Sequence, residues 1–107
     1  RLTELARALA CDPRLLLLDE PSSGLNEQET QAFAALVRSL AEDEGRSVLI
    51  VEHDVELVLG VCTTIHVLDF GTIIASGTPE QVQSDPRVQD AYLGADTGAA
   101  ELEEVFT

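Results

Sequence analysis

The sequence predicts an α/β domain whose inner strands run parallel and carry helices on their faces. Three observations lead there. Leu15-Leu16-Leu17-Leu18 and Val48-Leu49-Ile50-Val51 are apolar runs without alternation, the pattern of strands covered on both sides. A long amphipathic stretch separates them, so strand, helix and strand form a right-handed crossover between parallel neighbours. Both runs stop on charged residues, at Asp19-Glu20-Pro21 and at Glu52-His53. In open α/β sheets ligands collect at the carboxyl ends of the strands, which is where these groups fall.

The elements follow in order. Leu2, Leu5, Ala6 and Leu9 recur at helical spacing, which predicts an amphipathic helix over residues 1–10. Asp12-Pro13 ends it and the leucine strand follows, stopped by Pro21. After the polar loop Ser22-Ser23-Gly24-Leu25, Asn26 caps a helix, with Glu29 three residues on to complete a capping box. That helix runs to about residue 42, buries Phe33, Leu36, Val37 and Leu40, and stops at Gly45. Residues 47–52 form the second strand, and Asp54 caps a short helix through Leu59. Residues 64–68 and 72–75 flank Asp69-Phe70-Gly71 as a hairpin. Thr78-Pro79-Glu80-Gln81 opens another helix with an N-cap, a proline at the first position and a glutamine at the third. Asp85-Pro86 repeats the cap and proline for a last short helix ending near Leu93-Gly94. From Ala95 on, the chain is small and acidic and is expected to fray.

A chain of 107 residues holds one domain, and its apolar fraction of 45% is that of an ordinary folded protein. Its 20 acidic residues face six arginines and no lysine, for a formal charge of −14. Phosphate neutralisation needs a basic surface, so no direct nucleic-acid binding is expected. The same field opposes binding of free ATP, itself a polyanion. Cys11 and Cys62 stand alone and read as two small buried or half-buried hydrophobes. No apolar run approaches the roughly 20 residues of a membrane-spanning helix. The first residues already sit in a helical pattern, and the chain is expected to be a piece of something larger.

The chemistry-bearing residues cluster at the predicted strand ends. Adjacent strand residues point in different directions, so Asp19 is able to hold a Mg²⁺ ion while Glu20 polarises a water. The plainer reading is a solvated strand end. His53 lies at the end of the neighbouring strand, where its ring offers a hydrogen bond to a transferring phosphate. Taken by itself, a single histidine at a strand end is more often structural than catalytic. Gly24 and Asn26 are accounted for by turn geometry and capping alone.

Taken together these motifs resemble those of ABC-type ATPases. Leu15-Leu16-Leu17-Leu18-Asp19-Glu20-Pro21 resembles the Walker B strand with its catalytic glutamate. Ser23-Gly24-Leu25-Asn26 resembles the D-loop, Val51-Glu52-His53-Asp54 the switch-histidine segment, and residues 1–9 the helix after the ABC signature loop. Residues 70–79, Asp85-Pro86 and Ala91-Tyr92-Leu93-Gly94 look like the closing segment of the ATP-binding subunits of branched-chain amino-acid importers.

The resemblance implies the C-terminal part of a P-loop NTPase (RecA-like) sheet over residues 1–94, followed by an acidic flexible tail over 95–107. It implies ATP and Mg²⁺ as cofactors. Asp19 would coordinate the Mg²⁺ through water, Glu20 would act on the hydrolytic water, and His53 would contact the γ-phosphate. Ser23, Gly24 and Asn26 would face a second ATPase subunit in a head-to-tail dimer, with Asn26 standing where many members carry aspartate. Transmembrane permease subunits, a cytoplasmic place on the inner face of the cell membrane, and import of branched-chain amino acids follow in the same way. The sequence lacks G-x-x-x-x-G-K-[ST], a glutamine loop and a signature loop, so the chain is expected to hold half a catalytic site and to be inactive alone. It is also expected to expose an apolar flank and to self-associate. Two other readings are a fragment of a soluble ABC ATPase of DNA repair or translation, and a non-enzymatic metal-binding α/β module.

Overall fold

The computed structural model describes residues 2–93 and 104–106. Helix α1 (Leu2–Leu9) leads into strand β1 (Leu15–Asp19), helix α2 (Glu27–Glu42), strand β2 (Ser47–Val51) and helix α3 (Val55–Val61). The hairpin β3 (Ile65–Asp69) and β4 (Thr72–Gly77) follows. Helix α4 (Pro79–Gln83) and the short α5 (Pro86–Val88) come next, and α5 widens into a π-helical turn over Gln89–Leu93. Strand β5 (Glu104–Phe106) closes the described chain.

β1 and β2 pair in parallel, with Leu15 opposite Ser47 and Asp19 opposite Val51. Their carboxyl ends therefore finish level. At the opposite end, Arg46 joins the two starts: its guanidinium donates to the Pro13 carbonyl, to Asp12 at 2.9 Å and to Glu44 at 3.1 Å. The caps form as the residue pattern dictates. Asn26 accepts from the Glu29 amide while Glu29 accepts from that of Asn26, and Thr78 and Gln81 make the same reciprocal pair.

Leu5, Phe33, Val37 and Ile50 make one core, where α1 and α2 cover a single face of β1 and β2. Val58, Cys62, Ile65, Val67, Ala75, Val82 and Val88 make a second around the hairpin. Burying side chains of this size contributes about 1.5–3 kcal/mol each.

Several expectations are corrected here. β1 is well covered on one face only: Leu16 is 3% exposed, but Leu15 and Leu17 remain 54% and 67% exposed. Leu36 lies on the solvent side of α2, and Cys11 is exposed while Cys62 is buried. The acidic end is not wholly frayed. Glu104–Phe106 pairs antiparallel with β3, its β-favouring Val105-Phe106 taking the edge that β4 leaves open. The rest of 95–107 lies outside the described residues.

Candidate functional site

The level ends of β1 and β2 decide what meets at the site. The Glu20 amide donates to the Val51 carbonyl at 2.7 Å, carrying the ladder one residue past β1. Glu20 itself is left-handed, with φ +46°, a conformation disfavoured for a residue with a Cβ. Its backbone leaves the strand path there, and its Oε1 lies 3.1 Å from Nδ1 of His53, 33 residues away in sequence. Both side chains are about half exposed, at 43% and 53%, so the pair is accessible. Two of the predicted site residues are thereby brought together.

The chemistry of this contact is directional. A carboxylate only accepts, so the proton of the pair sits on Nδ1 and the Glu20 oxygen receives it. Nε2 then remains for a further group, and it donates to a phosphate oxygen when the ring carries both protons. Glu20 keeps its second oxygen for a water.

Asp19 ends the exposed face that Leu15 and Leu17 begin, apart from the Glu20–His53 pair. It also borders a cleft of about 180 Å³ with Glu4 of α1 and Pro21. No group of three or more His, Cys, Asp or Glu side chains is arranged to hold a metal among the described residues. A single exposed carboxylate suits Mg²⁺, which keeps several waters and takes much of its coordination from substrate phosphates. Asp19 fits that role.

The loop after β1 is a series of tight turns. The Ser23 amide donates to the Glu20 carbonyl and the Leu25 amide to that of Ser22. Gly24, at φ +82°, supplies the conformation that a side chain would strain. Ser23 and Gly24 are exposed. Asn26 is exposed too, and its side-chain oxygen accepts the Glu29 amide at 2.8 Å, so the helix cap already uses it.

One residue at the site escaped the sequence reading. Glu52 is 0% exposed, and its carboxylate accepts from the Ser22 amide at 3.0 Å, the His53 amide at 3.0 Å and the Asp54 amide at 3.4 Å. The available signal is parity: Glu52 falls two residues beyond buried Ile50 and so continues the covered face of β2. A larger cleft of about 610 Å³ lies between α2 and α3, and its lining excludes Asp19, Glu20 and His53.

Comparison with known proteins finds relatives along most of the chain. The family described as "Branched-chain amino acid ATP-binding cassette transporter" matches residues 72–97. The chain is 43% identical over 94 residues to the high-affinity branched-chain amino acid transport ATP-binding protein LivG of Escherichia coli strain K12, covering 88% of the chain and 37% of that protein. It is 44% identical over 94 residues to BraF of Pseudomonas aeruginosa, of the same description, with the same coverage. Against the lipopolysaccharide export system ATP-binding protein LptB of Haemophilus influenzae it is 42% identical over 94 residues, 88% of the chain and 39% of that protein. The chain thus spans well under half the length of the relatives it matches. Its likeness is thus to the C-terminal part of ATP-binding proteins of ABC transporters, those of branched-chain amino-acid transport among them.

Proposed function

We propose that residues 1–94 form part of the ATP-hydrolysing domain of a transporter subunit and carry the carboxylate half of its catalytic site. The observation that supports this most is the Glu20–His53 contact, made where two parallel strands end together. In this reading Glu20 orients and polarises the attacking water, and His53 donates to the γ-phosphate. Asp19 holds Mg²⁺ through water, and the ion, when bound with ATP, neutralises charge on the phosphates. Ser23, Gly24 and Asn26 face a second ATPase subunit in a head-to-tail dimer. Transmembrane permease subunits carry the solute, and the ATPase works on the cytoplasmic face of the membrane. No helix of the described residues is long and apolar enough to cross it.

The cations that hold ATP must come from elsewhere, since the 107 residues contain no lysine. The isolated chain therefore neither binds ATP tightly nor hydrolyses it. Import of branched-chain amino acids is the preferred coupling, on the match at residues 72–97 and the likeness to LivG and BraF. The similar identity to LptB, described as part of an export system, supports export as a second reading.

The test replaces His53 with Ala in a complete ATP-binding domain carrying these residues. Loss of a phosphate donor lowers kcat by about 100-fold while the fold is retained. Unchanged turnover would remove His53 from the reaction.

A further inference from the structure

Glu52 has no role in the reading above, yet it is the one acidic or polar side chain that is fully buried among the described residues. A carboxylate withdrawn from water needs partners; the His53 ring lies near it, with Nδ1 3.6 Å from Oε1, but that is longer than a hydrogen bond. The carboxylate takes three backbone amides instead, and these lie on two loops. Oε2 receives the Ser22 amide, from the turn that follows Glu20. Oε1 receives the amides of His53 and Asp54. Together with the Glu20–Val51 backbone bond and the Glu20–His53 contact, it ties the two segments at this edge.

We propose that Glu52 is a positioning residue for ATP hydrolysis: one buried carboxylate binds the Ser22 loop and the His53 loop to each other and so sets the spacing of Glu20 and His53. The inference rests on the roles proposed for those two residues. Its chemical requirement is an acceptor on both oxygens. Glutamine has the same shape but turns one oxygen into an NH₂ group, which would face an N–H on one of the two loops. Aspartate is shorter by one methylene. It still reaches the amides just after it, as such side chains do in turns, but releases Ser22. Both substitutions loosen the tie, and so alter the spacing of Glu20 and His53, without replacing either residue.

The experiment has two arms. In the 107-residue chain, amide exchange followed by NMR reads the tie directly. The Ser22 amide is slow in the unmodified chain and exchanges at least about tenfold faster in Glu52→Gln and Glu52→Asp, whereas the Glu29 amide at the α2 cap keeps its rate. In a complete ATP-binding domain, both variants lower kcat about tenfold with KM for Mg-ATP within about twofold, the split expected when only the reacting groups are misplaced. Glu20→Gln is the control. If it abolishes turnover while the Glu52 variants free Ser22 and keep full kcat, the positioning role is wrong and the site reading stands. If Glu20→Gln retains turnover, the site reading itself has failed. Should Glu52→Gln not fold, Glu52→Asp and the unmodified chain decide, since Ser22 exchange at the rate of an open loop amide would also overturn the proposal.

Discussion

Replacing Leu15 and Leu17 together by threonine tests whether the open face of β1 is a contact surface. Both leucines project from a strand whose other face is already packed, and threonine keeps the strand preference of the position. With 54% and 67% of the two residues exposed, the pair is equivalent to about 1.2 fully exposed leucines, worth about 2–3 kcal/mol if covered by a second chain. That energy corresponds to a roughly 30- to 150-fold weaker dissociation constant in the double variant. A formal charge of −14 opposes association, so the effect is clearest in moderate salt, where like-charge repulsion is screened. Sedimentation velocity over a concentration series reads it. The unmodified chain self-associates and the variant shifts toward monomer. A monodisperse monomer for both at high concentration, or equal association of both, would refute the reasoning.

Other expectations are more local. Asn26→Ala removes the acceptor for the Glu29 amide and lowers stability by about 1 kcal/mol, read by thermal melting, whereas Asn26→Asp retains the cap and stays within a few tenths. Gly77→Ala is strained at φ +153° and drives a Cβ to 2.3 Å from the Gln81 amide oxygen, so it costs about 1–2 kcal/mol. Combining it with Gln81→Ala gives less than the sum of the two losses, because both break the same cap. The side-chain hydrogen bond from Arg87 holds the Asp85 carboxyl below its ordinary range, aided by the Arg87 amide. A group depressed in the folded state contributes stability above its unfolded pKa and loses it as pH falls through the folded one. An NMR titration should show Asp85 moving up toward the usual carboxylate range in Arg87→Gln.

Much of this structure could be read locally. Asn26 with Glu29, Thr78 with Pro79 and Gln81, and Asp85 with Pro86 specify helix starts through hydrogen bonds spanning three residues or fewer. The two apolar runs imply parallel neighbours, and their charged ends place Glu20 and His53 at one edge; the contact between them is seen only in the structure. What could not be read depends on partners distant in sequence. Leu15 and Leu17 have the same composition whether or not something covers them. Parity with Ile50 puts Glu52 on the covered face of β2, but its partner Ser22, 3.0 Å from its carboxylate, is 30 residues away in sequence. The left-handed turn at Glu20 carries no signal in residue type, since glutamate is neither glycine nor asparagine.

The central claim is that Glu20 acts on the water that attacks ATP. Glu20→Gln keeps the size and the hydrogen-bonding reach to His53 but removes the charge that polarises a water. In a complete ATP-binding domain carrying these residues, the account predicts unchanged Mg-ATP binding and nearly abolished hydrolysis in single-turnover measurements. Hydrolysis at the unmodified rate would contradict it.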